Sequence, residues 1–266
     1  MTEHETLAEV QAELAAAGLP TEEVGAIRIV QSGKFAGIPY MLAPVGGETE
    51  AWSRLRGMCF GRRYPVVVGE VEGVYDRLGD KAPAASDVIA EGRCLDTTNH
   101  WRELLIASAN RWRISGDDKV QSIASMMEMP GLWPIRGVGL DHRLHGRRRF
   151  ATGRTTTNLL LPLCPDPWMA PAYLRAEGHN YRLDAAVQCA VFRSWYLRFG
   201  AEVNYMNGST YEFAVGQPPR DRDAALELAC EHYLFCPDRR DELSGSGLRA
   251  FAAELMQSSW WYFWWD

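Results

Sequence analysis

Residues 184–215 read DAAVQCAVFRSWYLRFGAEVNYMNGSTYEFAV, and this stretch decides the fold class. Asp184 can cap a helix whose apolar positions Val187, Val191, Trp195 and Phe199 recur every four residues, and Gly200 supplies the stop. The period then changes from helical to two. Ala201, Val203 and Tyr205 alternate with Glu202 and Asn204, and Tyr211, Phe213 and Val215 alternate with Thr210 and Glu212. Asn207-Gly208 between the two runs predicts a two-residue type I′ hairpin turn. A helix that runs straight into an antiparallel hairpin places a helical layer on a sheet, the mark of an α+β fold.

Downstream, Pro218-Pro219 ends the second strand. Asp221 then caps a helix through Leu226, Ala229, Cys230 and Tyr233 that must stop before Pro237. Another helix, Leu248 to Met256, leads into Trp260-Trp-Tyr-Phe-Trp-Trp-Asp266. Ten tryptophans occur in the chain, and this tail concentrates Trp260, Trp261, Trp264 and Trp265. Read as a strand, it puts Trp261, Phe263 and Trp265 on one face and Trp260, Tyr262 and Trp264 on the other. Burial of most of these rings is the expectation, because six large aromatics exposed together would drive aggregation. The opposing reading is an exposed anchor for a partner.

Upstream, Asn158 to Leu163 reads as a strand, with Pro165, Pro167 and Pro171 keeping the next segment extended or turned. Residues 130–154 show no period and carry a net charge of +5, leaving -11 on the rest of a chain whose total is -6. Asp87 to Trp112 looks helical, Gly79 to Ser86 is a linker candidate, and Pro65 to Gly69 is a buried strand. Before it, Glu48 to Phe60 reads as a helix, and Ala26–Val30 with Tyr40–Ala43 as a hairpin. Thr2 and Glu5 form a capping box for a first helix through Leu7, Val10 and Leu14, ended by Gly18. The chain thus divides into an N-terminal α/β segment (1–80), a helical and Arg-rich middle region (81–155), and a C-terminal α+β domain (156–266). Its sheet is expected to be mixed but largely antiparallel, with helices packed on one face.

Composition narrows the function. The 266 residues are 47% hydrophobic and 23% charged, a globular balance that excludes disordered and collagen-like classes. An acidic total gives no general attraction to nucleic acid or anionic membrane. No apolar run approaches the roughly 20 residues that span a bilayer, so no membrane partner is expected. The N-terminus does not read as a signal or transit peptide, which makes the cytoplasm the expected location. The six cysteines are scattered without a Cys-x-x-Cys pair, as expected for reduced thiols that pack as small apolar groups.

Four blocks in order carry a family resemblance: Phe192-Arg-Ser-Trp-Tyr-Leu-Arg-Phe-Gly-Ala201, Pro218-Pro219, Ala229-Cys-Glu-His-Tyr-Leu-Phe-Cys-Pro-Asp238, and Tyr262-Phe-Trp-Trp-Asp266. Together they resemble the bacterial domain-of-unknown-function family 4253 over the C-terminal region. Trp52-Ser-Arg-Leu-Arg and Tyr64-Pro-Val-Val-Val-Gly69 resemble the helix-then-strand entry of longer members. Arg239 to Gly245 departs from the short Gln-Gly turn that members usually show after the Cys-Pro-Asp block. The resemblance implies a bacterial cytoplasmic protein, and it carries no established activity.

Candidate sites come from clustered polar residues. His232 and Cys236 are four apart on one helical face, with Glu231 and Asp238 adjacent, so Cys236 as nucleophile and His232 as its base make an enzyme reading. Against it, a helix C-terminus raises a thiol pKa, which favours a packed thiol and a C-capping histidine. Arg193 and Arg198 flank Trp195 and are candidates for binding a ligand or partner. The plainer alternative has one Arg stacked on an aromatic and the other paired with a carboxylate, Glu231 or Asp266. Arg147, Arg148 and Arg149, within the basic stretch 143–154, are candidates for nucleic acid or phosphate, although no nucleic-acid-binding motif accompanies them. Phosphate-loop, hydrolase-elbow, zincin and dinucleotide motifs are missing. We therefore expect no metal and no cofactor. The favoured function is a non-catalytic module that binds another protein, of immunity or regulatory type; the alternatives are an enzyme at Glu231, His232, Cys236 and Asp238, and nucleic-acid binding through Arg143 to Arg154.

Overall fold

The computed structural model describes residues 6–31, 35–43, 48–59, 61–69, 83–115, 133, 157–174, 184–207, 210–236 and 247–265. The basic stretch with Arg147, Arg148 and Arg149, together with Asp238, Asp266 and the Thr2–Glu5 capping box, lies outside them.

The chain opens with α1 (Leu7–Ala16), whose cap is Thr6 rather than Thr2: the Thr6 hydroxyl accepts from the Glu9 N–H and Glu9 answers on the Thr6 N–H at 2.7 Å. The same Thr-x-x-Glu spacing occurs twice, and the second copy abuts the apolar face. Then follow α2 (Thr21–Ala26), β1 (Arg28–Ile29), β2 (Pro39–Leu42), α3 (Glu48–Cys59) and β3 (Val66–Val68). The single helix expected from Asp87 is two, α4 (Ala85–Cys94) and α5 (Thr97–Ser115), because Asp96 caps a new start by accepting from the Thr98 N–H at 2.9 Å. After β4 (Asn158–Leu160), the proline-rich segment takes the turned of the two expected forms. It forms a 3-10 turn, Pro167–Met169, and then α6 (Ala170–Leu174). Proline is tolerated in a first helical turn, where its missing N–H has no partner to lose.

The deciding stretch folds as α7 (Ala185–Phe199), β5 (Ala201–Met206) and β6 (Thr210–Val215). Asp184 caps α7 by accepting from the Ala186 N–H at 2.7 Å, and Gly200 ends it at φ 57°. The pairing shifts between Val203 and Tyr205, which breaks the simple alternation and buries Asn204 as well as Val203. A bulge of this kind adds one residue to one strand. The hairpin closes through the Asn207 N–H to the Thr210 carbonyl at 3.0 Å. Gly208 of the expected Asn207-Gly208 turn lies outside the described residues, and Asn207 does not occupy the turn's centre. Asn207 is instead a flank, its side-chain carbonyl accepting from the Thr210 N–H at 2.7 Å. The chain ends with α8 (Arg222–Phe235), α9 (Gly247–Leu255) and β7 (Trp260–Trp264).

The seven strands among the described residues form one sheet in the order β1-β2-β4-β3-β5-β6-β7, antiparallel except where β3 runs parallel to β5. The fold class is α+β as expected. Strand β4 from the C-terminal region lies between β2 and β3 from the N-terminal segment, pairing Leu159 with both Met41 and Val67. Side chains reinforce that crossing. The Tyr64 hydroxyl donates to the Val203 carbonyl at 2.7 Å, Arg56 Nε donates to Glu202 at 2.7 Å, and Arg63 bonds the Leu161 carbonyl at 2.9 Å while paired with Glu13.

The face of β5, β6 and β7 that carries Val203, Phe213 and Phe263 meets α7 and α8 through aromatic rings. Trp195 stacks on Phe263 at 5.5 Å with planes 6° apart and meets Trp261 edge-on at 5.6 Å. Trp261, Phe263 and Trp265 are all buried. The tail is thus the inner wall of the core, and each fully buried ring contributes about 2–3 kcal/mol relative to exposure.

Candidate functional site

The residues singled out from sequence meet where α7 packs on α8. Helix phasing explains the meeting. Trp195 lies on the buried face of α7 and Arg198 follows three positions later at its edge. Both reach one carboxylate on α8. Glu231 accepts from the Trp195 indole N–H at 2.7 Å and from Arg198 Nη1 at 2.6 Å, and it is buried. Arg198 also faces Glu227 at 3.6 Å and lies over the Phe199 ring at 4.7 Å. Burial pushes the Glu231 carboxyl above its ordinary value, while the Arg198 charge and the two donated hydrogen bonds pull it the other way without cancelling the effect.

The next residue points elsewhere. His232 is 0% exposed and sits among rings, 4.6 Å from Trp261, 4.8 Å from Phe263 and 5.0 Å from Trp195. Its backbone carbonyl receives the Cys236 N–H at 2.9 Å, so the backbone closes the helix and the ring belongs to the core. The expected C-capping side chain is therefore corrected to a core imidazole. Cys236, also 0% exposed, donates its thiol to the Trp264 carbonyl at 3.1 Å and ties the end of α8 to β7. The structure thus brings Trp195, Arg198, Glu231 and His232 together, with Cys236 one turn on, while Asp238 lies outside the described residues.

Arg193 does not join that group. Its guanidinium carbon lies 5.9 Å from the centroid of the Trp168 ring, and Arg93 of α4 lies 5.4 Å from the same ring. Of the two flanking arginines, one stacks on an aromatic and the other pairs with Glu231. Sequence reasoning missed Arg93 and Trp168 because nothing local links a residue of α4 to a 3-10 turn far along the chain. The available signal was Gly92. A Cβ there would sit 2.7 Å from the Ala186 carbonyl oxygen and 2.9 Å from Cys189 Cβ, so only glycine lets α4 touch α7.

None of the six cysteines is in a disulfide. Burial raises the thiols of Cys59 and Cys230 to about 11 and that of Cys189 to about 12, which keeps them protonated near neutral pH. Among the described residues, no group of three or more His, Cys, Asp or Glu is placed to hold a metal ion. No helix among them is long and apolar enough to cross a membrane.

This arrangement of α7, hairpin, α8 and aromatic strand coincides with a known sequence family. Residues 159–266 match the family model described as Domain of unknown function (DUF4253). No curated protein and no solved structure matches the chain. The DUF4253 region begins within β4, so its first strand lies between two strands that come from outside the match. The residues joined at Glu231 all lie inside the DUF4253 region, whereas Arg93 lies outside it and Trp168 and Arg193 within.

Proposed function

We propose that the chain is a non-catalytic protein-binding module of the bacterial cytoplasm, of immunity or regulatory type. The observation that carries this reading is the use made of its reactive side chains. Glu231 is occupied by two donors, the His232 ring packs between tryptophans, and the Cys236 thiol bonds a strand carbonyl, with exposures of 3%, 0% and 0%. A nucleophile and base need access to substrate and to each other, and buried groups engaged in packing supply stability instead. Binding surfaces, by contrast, draw on exposed arginine and apolar side chains, and the outer side of α7 carries both in Arg193 and Leu197.

The reading is tested by isolating the full chain from its native host and measuring mass by native mass spectrometry. A complex of fixed stoichiometry with a second polypeptide is the expected result. A chain that isolates alone and turns over a small molecule, with turnover abolished by His232→Ala, would overturn it.

A further inference from the structure

Two cations and one ring converge on the surface where α4, α7 and the 3-10 turn meet. Arg93 stands on the last turn of α4 and Arg193 midway along α7, with guanidinium carbons 5.4 and 5.9 Å from the Trp168 centroid. The convergence follows from Gly92, whose missing side chain brings the backbones of α4 and α7 into contact. Trp168 is 6% exposed and fixed in the turn, whereas both arginines are exposed. A guanidinium held over a ring face keeps its N–H edge available and is already ordered before a partner arrives. Less freedom is then lost on binding.

Neither arginine has a carboxylate at ion-pair distance among the described residues, unlike Arg54, Arg56, Arg62, Arg63 and Arg198. In a chain with 34 acidic and 28 basic side chains, two neighbouring cations with no acid at ion-pair distance among the described residues are complementary to charge supplied from outside. Leu197, four positions beyond Arg193 and so on the same side of α7, is 67% exposed. The surface therefore joins two ordered cations to one exposed apolar side chain.

We propose that Arg93, Arg193 and the underlying Trp168, with Leu197 beside them, form the docking surface for an acidic segment of a protein partner. The guanidinium forks take carboxylates of that segment, and Leu197 takes an adjacent apolar or aromatic side chain. The assignment rests on the protein-binding reading above and names the surface and partner chemistry it uses.

The probe is a fluorescein-labelled random copolymer of glutamate and tyrosine, titrated with the full chain at low salt and read by anisotropy, beside labelled polyglutamate, polyphosphate and duplex DNA. The double variant Arg93→Gln/Arg193→Gln should weaken copolymer binding by about tenfold, the loss of two charged contacts at an exposed site. The charge-matched control Arg102→Gln/Arg220→Gln should stay within about twofold, since general electrostatic attraction changes equally in both. Leu197→Ser should weaken the copolymer and leave polyglutamate unchanged. Equal losses in the patch and control variants, no copolymer binding by the wild-type chain, or tighter binding of polyphosphate or DNA through the same two arginines would each overturn the proposal. In the host isolate, a complex that survives Arg93→Gln/Arg193→Gln removes this surface while the protein-binding reading stands; a chain that never forms a complex removes both.

Discussion

Glu231 gathers an indole N–H from Trp195 and a guanidinium from Arg198 in a place nearly closed to water. Two effects oppose each other there. Burial disfavours the charged carboxylate, Arg198 favours it, and burial is the larger, so the carboxyl binds its proton more tightly in the folded chain than in the unfolded one. Stability from such a group is fully present below the unfolded value and is lost as pH rises through the raised folded value. The wild-type chain should therefore lose stability relative to Glu231→Gln as pH rises from 4.5, measured by urea unfolding at a series of pH values. A difference that moves in favour of the wild type with rising pH would show that Arg198 outweighs burial. The sequence offered Glu231 or Asp266 as the carboxylate for one of the two arginines, and the structure pairs Arg198 with Glu231. That the same carboxylate also serves Trp195 was not readable from the sequence, since it depends on how α7 and α8 are rotated about their axes.

Between elements, contact distance decides what a residue tolerates. Gly92 and Gly57 are both helical glycines, in α4 and α3, and alanine suits a helix better than glycine by about 1 kcal/mol at either. Their surroundings differ. At Gly57 nothing lies within 4 Å of an added Cβ, whereas at Gly92 the Ala186 carbonyl oxygen would be 2.7 Å away. Gly57→Ala should therefore raise the unfolding free energy by up to about 1 kcal/mol, and Gly92→Ala should lower it by about 1–3 kcal/mol because α4 must move off α7. Urea unfolding of the two variants checks both signs. Gly92→Ala should also move Arg93 away from Arg193 at Trp168, so it bears on the proposed docking surface as well as on stability.

For the molecule as a whole, the sheet does not respect the limits of the DUF4253 match. Strand β4 is flanked on both sides by strands from residues 39–68, and β5 takes β3 as its parallel neighbour. A fragment of residues 157–266 would leave β4 with no neighbour and expose the edge of β5, while the Val203 carbonyl would lose the Tyr64 hydroxyl. That fragment should lack cooperative unfolding and dispersed amide resonances, both of which the full chain should show. A well-dispersed spectrum from the fragment alone would mean that the aromatic core of α7, α8 and β7 suffices for folding.

The sequence by itself determined the local elements and the aromatic core of the C-terminal half. The four-residue spacing of Val191, Trp195 and Phe199, the alternation through Phe213, and the terminal rings each state a buried face, because a side chain's direction follows directly from its helical or extended backbone. The tertiary structure alone decided the rest. Strand order depends on pairings between segments far apart in the chain, so β4 between β2 and β3 has no local signature. The bulge at Asn204 and the pairing of Asn207 with Thr210 belong to the register between two strands and not to either strand alone. Arg93 and Trp168 came together with Arg193 only because two helices can approach at Gly92, a contact written in the space between elements and not in the residues of either.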